Sequence, residues 1–221
     1  MDLGAWDVKA SVDGENFGYY GTNTTDSKWN FQGGLGYALS DKWNLEYVYH
    51  DLNTKYDGAK ATDGDEHEVN LVYSLNKNFA VYGGWNRIKN SVDVDSFSKT
   101  NNIAQLGLIA KAPLAKNFDI YGKAAIGTKK TTIWEAGLGY TFAKDFDLSA
   151  GYRYVNTKLV DKGTLGATDD ANISYKGPFV TLSYRFGGHK DAAPAPVYVT
   201  PAPTAPAQPA ETPHTYNDYY L

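Results

Sequence analysis

Cysteine is absent from the chain and methionine occurs once. The first absence excludes a disulfide framework and thiolate chemistry, and it fits cytosol, periplasm and outer membrane alike. No apolar run approaches the roughly 20 residues that a transmembrane helix needs, and mean hydropathy is −0.48. Net charge is a mild −4, which argues against a basic face that binds nucleic acid. P-loop, dinucleotide fingerprint, nucleophile elbow and zinc helix are all missing. No signal peptide precedes the first strand pattern. Met1-Asp2 reads as a mature start to which an initiator methionine was added, so that absence does not argue for a cytosolic home.

What the chain has in abundance is tyrosine (18) and glycine (22) in 221 residues, the composition of strands and tight turns. Up to about residue 187 the apolar residues fall on alternate positions. In "NFQGGLGYALSDKWNLEYVYH" (30–50), Phe31, Leu35, Tyr37, Leu39, Trp43, Leu45, Tyr47 and Tyr49 alternate with mostly polar or glycine residues. Period-2 alternation is the mark of a strand with two unlike faces. The same pattern defines ten segments, near 3–12, 30–39, 43–50, 68–75, 79–86, 104–111, 118–126, 134–142 and 146–154, with a last one closing on Phe186. In the first, Trp6, Val8, Ala10 and Val12 form the apolar parity against Asp7, Lys9 and Ser11. In the last, the phase slips near Gly177-Pro178, which predicts a bulge.

The connections alternate as well. Those after the even segments are short, such as 40–42 and 76–78. Most after the odd ones are long and polar: 13–27, 56–65, 90–99 and 159–170. The polar parity carries Lys9, Glu46, Glu68, Lys111, Lys123, Glu135, Arg153 and Arg185, too many charges for a protein core. The aromatics of the apolar parity sort by depth. Trp43, Tyr140 and Phe142 lie near the short turns, and Trp29, Trp85 and Trp134 near the long loops, with Leu35, Leu45, Leu71, Leu106, Leu138 and Leu148 between. Two aromatic girdles around an aliphatic band predict an all-β, transmembrane, antiparallel up-and-down barrel of about ten strands with its apolar face in lipid. An even strand number places both termini on one side, the periplasm of a bacterial outer membrane. The lumen charges Lys9, Glu46, Glu68, Lys123, Glu135 and Arg153 are expected to pair across the interior. Residues 1–187 form the barrel. Residues 188–221, rich in Ala and Pro and ending in a Tyr-rich tip, are expected to be an extended, disordered periplasmic linker and tail.

The stretches "LSAGYRYVNT" (148–157), "VTLSYRFGG" (180–188) and "APAPVYVTPAP" (193–203) resemble the OmpA-type and opacity-type outer-membrane barrel families. The resemblance implies that the last strand, through Val180, Leu182, Tyr184 and Phe186, carries the signal read by the barrel-assembly machinery. The alternative is that Phe186 is one more girdle aromatic. The chain departs from the OmpA pattern in having ten strands rather than eight. It also ends at "HTYNDYYL", where such proteins continue into a peptidoglycan-binding domain.

No catalytic or cofactor site emerges. Some ten-stranded outer-membrane proteases use Asp and His near the outer rim, but by phase His50 points inward and His67 outward, so they do not converge. The loop "DGDEHE" (63–68) offers oxygen ligands to a cation, but the favoured reading is a solvated acidic loop. Tyr216, Tyr219, Tyr220 and Leu221 suggest a short docking motif for a periplasmic or envelope protein, or simply a free chain end. The resulting expectation is a non-enzymatic outer-membrane barrel with an envelope-integrity role, in contact with bilayer lipids. The alternatives are a narrow ion or small-solute channel and a surface adhesin acting through the long loops.

Overall fold

The computed structural model describes residues 1–13, 22–92, 97–161 and 170–186. They form one antiparallel sheet of β1 (Asp2–Asp13), β2 (Thr22–Thr24), β3 (Lys28–Ala38), β4 (Trp43–Asp51), β5 (Thr54–Tyr56), β6 (Ala59–Thr62), β7 (Asp65–Ser74), β8 (Phe79–Val92), β9 (Phe97–Ala115), β10 (Phe118–Gly127), β11 (Thr131–Ala143), β12 (Phe146–Val160) and β13 (Ala171–Tyr184). Ten of these, all but β2, β5 and β6, pair in the ring β1–β3–β4–β7–β8–β9–β10–β11–β12–β13, and β13 pairs back with β1. The barrel is therefore closed and has no free edge.

The three short strands lie on the long-loop side. β2 extends the pairing of β1, from Ser11 opposite Thr24 to Asp13 opposite Thr22. β5 and β6 form a hairpin over Asp57-Gly58, both at positive φ (48° and 77°), as a two-residue primed turn requires. The segment after Tyr56 is thus a hairpin rather than an irregular loop. Residues 187–221, which include the expected linker and the tail residues Tyr216, Tyr219, Tyr220 and Leu221, lie outside the described residues, as do 14–21, 93–96 and 162–169 of the long connections.

The bulge expected at Gly177-Pro178 is not there. β13 pairs β12 in one register from Phe146 opposite Tyr184 to Lys158 opposite Asn172. Against β1, pairing passes from Trp6–Phe179 to Lys9–Lys176, skipping the two residues opposite. Pro178 has no N–H to give. Gly177 is held where a Cβ would stand 1.7 Å from the Asp7 carbonyl oxygen, and its own carbonyl accepts the indole N–H of Trp6 at 3.0 Å.

The exterior carries an apolar belt: Leu35, Leu45, Leu71, Leu106, Leu108, Leu138, Leu148 and Leu182 are all exposed, Leu106 at 66%. Trp29, Trp43, Trp85, Trp134, Tyr140 and Phe142 flank it, also exposed. On β11 the distance from Trp134 to Phe142 is about 26 Å along the strand at 3.3 Å per residue, which on a strand tilted by roughly 40° rises about 20 Å, most of the roughly 25 Å of a lipid-facing band. Soluble monomers do not expose contiguous apolar surface on this scale, so the barrel spans a membrane.

Toward the long loops the two faces exchange character. On β8 the outward series Val81, Gly83, Trp85 continues as Arg87 and Lys89, while the inward series runs through Ile88 to Asn90, both fully buried. On β12, Tyr154, Asn156 and Lys158 point outward and Val155 and Leu159 inward; on β11, Thr132 and Ile133 divide in the same way. Beyond the girdle the strands leave the hydrocarbon, and the barrel then obeys the soluble rule, polar outside and apolar within. This exchange overturns the phase expected for the first strand. Trp6, Val8 and Ala10 are buried inside, and Lys9 is exposed outside.

Candidate functional site: a filled interior

The interior is built in layers. At the long-loop end Trp6, Val8, Leu52, Ile88, Ile103, Ile133, Val155, Leu159, Ile173 and Tyr175 form one buried apolar cluster. Tyr175 donates its hydroxyl to Asn90 Oδ1 at 2.9 Å, so the polar end of the ring is satisfied.

Below this layer sits Arg153, with no solvent exposure. It lies on β12 opposite Glu135 of β11 and Gly177 of β13. The glycine leaves room for the guanidinium to cross the lumen. Nη1 donates to Glu135 Oε2 at 3.2 Å; Nη2 donates to Glu66 Oε2 at 2.9 Å and to Glu68 Oε1 at 2.7 Å. The guanidinium also lies 5.7 Å from the Trp6 ring. Three carboxylates thus converge on one cation from the far wall and the near one.

Around this hub the remaining groups are shared. Glu68 accepts from Asn70 at 3.1 Å and Gln105 at 2.9 Å, and Lys123 Nζ lies 3.6 Å away. Lys123 also sits 4.9 Å over the Tyr82 ring. Glu66 accepts from Asn86 at 2.8 Å and lies 3.2 Å from His50 Nδ1. Tyr121 donates to Glu135 at 3.0 Å. Nearer the short turns, Arg185 pairs with Asp147 at 2.8 Å, and Gln32 donates to Thr181 at 2.5 Å.

Of the interior charges expected from the sequence, Glu46, Glu68, Lys123, Glu135 and Arg153 are buried inside; Lys9 is on the exterior and takes no part. Glu66 was missed, although it shares the parity of Glu68 two residues on. His50, Glu66 and Glu68 present ligand atoms within 4.8 Å of one another, a donor set for a metal. Arg153 already serves both carboxylates as their cation.

The six residues 63–68 do not converge as a cation loop. Asp63 pairs with Lys60 at 2.6 Å, Asp65 takes Arg87 at 2.9 Å, and Glu66 and Glu68 turn inward. Lys60 donates a hydrogen bond to Asp63 and so holds that carboxyl below its usual range. His50 and His67 lie on opposite sides of the wall. His67 accepts or donates through Nδ1 to Tyr47 at 2.8 Å and lies 3.2 Å from Asp65 through Nε2, on the outer surface. Val180, Leu182 and Phe186 of the closing segment are exposed on the exterior, and Phe186 meets Tyr184 edge-on at 4.5 Å between ring centroids.

No family model matches the chain, and no curated protein matches it in sequence. Among solved structures it is similar to Neisserial surface protein A at 15% identity, covering 83% of this chain and 96% of that one with a TM-score of 0.38. It is similar to Ail, the attachment invasion locus protein of Yersinia pestis, at 18% identity, covering 84% and 97% with a TM-score of 0.33. Against a Pseudomonas aeruginosa FadL homologue, at 12% identity and a TM-score of 0.36, the match covers 75% of this chain and spans only 53% of the other. Likenesses this distant define no family. The barrel assignment stands on the chain's own strand pairing and apolar belt.

Proposed function

We propose that the protein is a non-enzymatic barrel of the bacterial outer membrane with a structural role in the envelope. One observation carries this reading: the lumen is filled. A fully buried Arg153 bonded to three carboxylates lies beneath an apolar layer in which Trp6, Ile88, Ile133 and Ile173 have essentially no exposure. An open pore keeps water against its charges; here they are spent on one another, and unpaired charge at this depth would be expensive. Single-channel recording in planar bilayers tests the reading. Silent membranes support it, and stable open steps from the purified barrel contradict it.

A narrow cation channel is the second reading. Glu46, Glu66, Glu68 and Glu135 outnumber Arg153 and Lys123 in the buried interior, which favours cations along any route that opens. The OmpA-type resemblance, periplasmic termini, recognition of Val180, Leu182, Tyr184 and Phe186 by the assembly machinery, and a tail that docks an envelope protein through Tyr216, Tyr219, Tyr220 and Leu221 all belong to the first reading as proposals. Deleting 217–221 and comparing co-purified partners tests the tail. Moving Phe186 to Ala and measuring the folded fraction in outer membranes tests the assembly role.

A further inference from the structure

Where the faces of the barrel exchange character, two lysines meet on the outside. Lys9 of β1 and Lys176 of β13 are direct cross-strand partners. Both belong to the outward parity, since Trp6, Val8 and Ala10 on β1 and Tyr175, Gly177 and Phe179 on β13 are buried inside. Like charges opposite each other on an antiparallel pair repel, so the arrangement calls for an anion. Among the described residues none is supplied: neither lysine has an ion-pair partner within 4.0 Å. Asp7, two residues along on the same parity as Lys9, accepts from Ser27 Oγ at 3.1 Å.

The level of the pair identifies the anion. Lys176 is the cross-strand partner of Tyr154. Tyr154 is in turn the partner of Trp134, and the two rings stack at 5.5 Å between centroids. That Trp–Tyr pair belongs to the aromatic girdle, which sits at headgroup depth. Ammonium groups one strand over from girdle aromatics lie where lipid phosphates lie, and their stems rest on the apolar wall. Elsewhere on the outer face, Arg87 is neutralised by Asp65 at 2.9 Å and Lys158 by Asp161 at 2.9 Å; among the described residues Lys9 and Lys176 are not neutralised in that way.

We propose that the Lys9–Lys176 pair is a binding site for the phosphate of an anionic lipid headgroup in the leaflet on the long-loop side. Two ammonium groups match a phosphomonoester, which carries close to two negative charges near neutral pH, better than a diester. The site rests on the reading of the chain as a membrane-spanning barrel and adds to it a lipid preference.

The test uses the full chain folded into nanodiscs of phosphatidylcholine doped with phosphatidic acid, a phosphomonoester, or with phosphatidylglycerol, a diester. Lipids retained after gentle detergent release are counted by native mass spectrometry. Wild type is expected to retain phosphatidic acid over phosphatidylcholine. Lys9→Gln combined with Lys176→Gln lowers that retention about tenfold or more, at roughly 1 kcal/mol for each lysine near an anionic surface. The Arg double variant keeps it, as does Lys77→Gln on the opposite rim. Folding of each variant is checked by heat-modifiable gel mobility. Equal retention by the Gln variant, or no preference in wild type, overturns the site. Inorganic phosphate that displaces the lipid at low millimolar concentration assigns the site to free phosphate and overturns the lipid assignment. A wild-type chain that enters no nanodisc overturns the membrane reading itself, a distinct failure.

Discussion

Replacing Arg153 with Met keeps a long apolar stem in the lumen and removes the one group among the described residues that bonds Glu66, Glu68 and Glu135 together. The loss is unevenly shared. Glu68 retains Asn70, Gln105 and Lys123, and Glu66 retains Asn86 and the nearby His50. Glu135 retains a single hydrogen bond among the described residues, from the Tyr121 hydroxyl, with Lys123 directly across the strand pair. Taking one partner from a buried ion pair costs about 3–5 kcal/mol, because the other charge is left without compensation. Arg153→Met should therefore cost about that much. Most of the cost falls on Glu135, so adding Glu135→Gln should recover more stability than adding Glu68→Gln. Guanidinium unfolding of vesicle-embedded protein, followed by far-UV circular dichroism and gel mobility, reads both. A loss below about 1 kcal/mol for Arg153→Met, or better rescue by Glu68→Gln, would show that the hub does not hold the interior as described.

Trp6→Ala should cost about 3–5 kcal/mol in the same assay, the range for emptying a buried aromatic site, because the indole also bonds Gly177 and contacts His50 at 5.5 Å. Trp29→Ala, on the exterior, should cost less. Lys129 and Lys130 both sit at positive φ (57° and 52°) in the β10–β11 turn, where L side chains are disfavoured by about 1–2 kcal/mol. Lys130→Gly should therefore stabilise the barrel by about 1 kcal/mol, seen as a higher unfolding midpoint. Gly177→Ala should lower the folded fraction sharply, since β13 cannot approach β1 with a methyl group in place. Hydrogen bonds from Lys99 and Lys158 hold the Asp161 carboxyl down to about 2. A lowered folded-state value means that any stabilisation is complete above the ordinary Asp value near 4 and fades as pH falls toward 2. A carbon-detected NMR titration should show the Asp161 carboxyl titrating well below the ordinary Asp value near 4.

The strands were legible because lipid and lumen impose opposite demands on neighbouring residues. Phe31, Leu35 and Tyr37 against Gln32, Gly34 and Gly36 place β3 without ambiguity. The same rule failed on β1 and at the start of β13. Trp6 and Val8, like Ile173 and Tyr175, are apolar residues that face inward where the barrel has left the hydrocarbon. Reading apolar as lipid-facing there inverted one strand and produced a false slip in another. Charges of unlike depth, Asp7 and Lys9 on one parity just beyond the girdle level, were the available signal of the change. Glu66 was equally visible by parity, but convergence on Arg153 of β12 from β7 and β11 depends on how the ring closes, which no local pattern states. The Lys9–Lys176 juxtaposition likewise exists only through the pairing of the first strand with the last.

Five tryptophans make the central claim directly measurable: Trp29, Trp43, Trp85 and Trp134 are exposed on the exterior, and Trp6 alone is enclosed. Single-tryptophan variants folded into vesicles whose acyl chains carry bromine report contact with lipid by quenching. A hydrocarbon-covered exterior predicts strong quenching at the four outer positions and little at Trp6. Outer tryptophans left bright, or Trp6 quenched as strongly as they are, would contradict it.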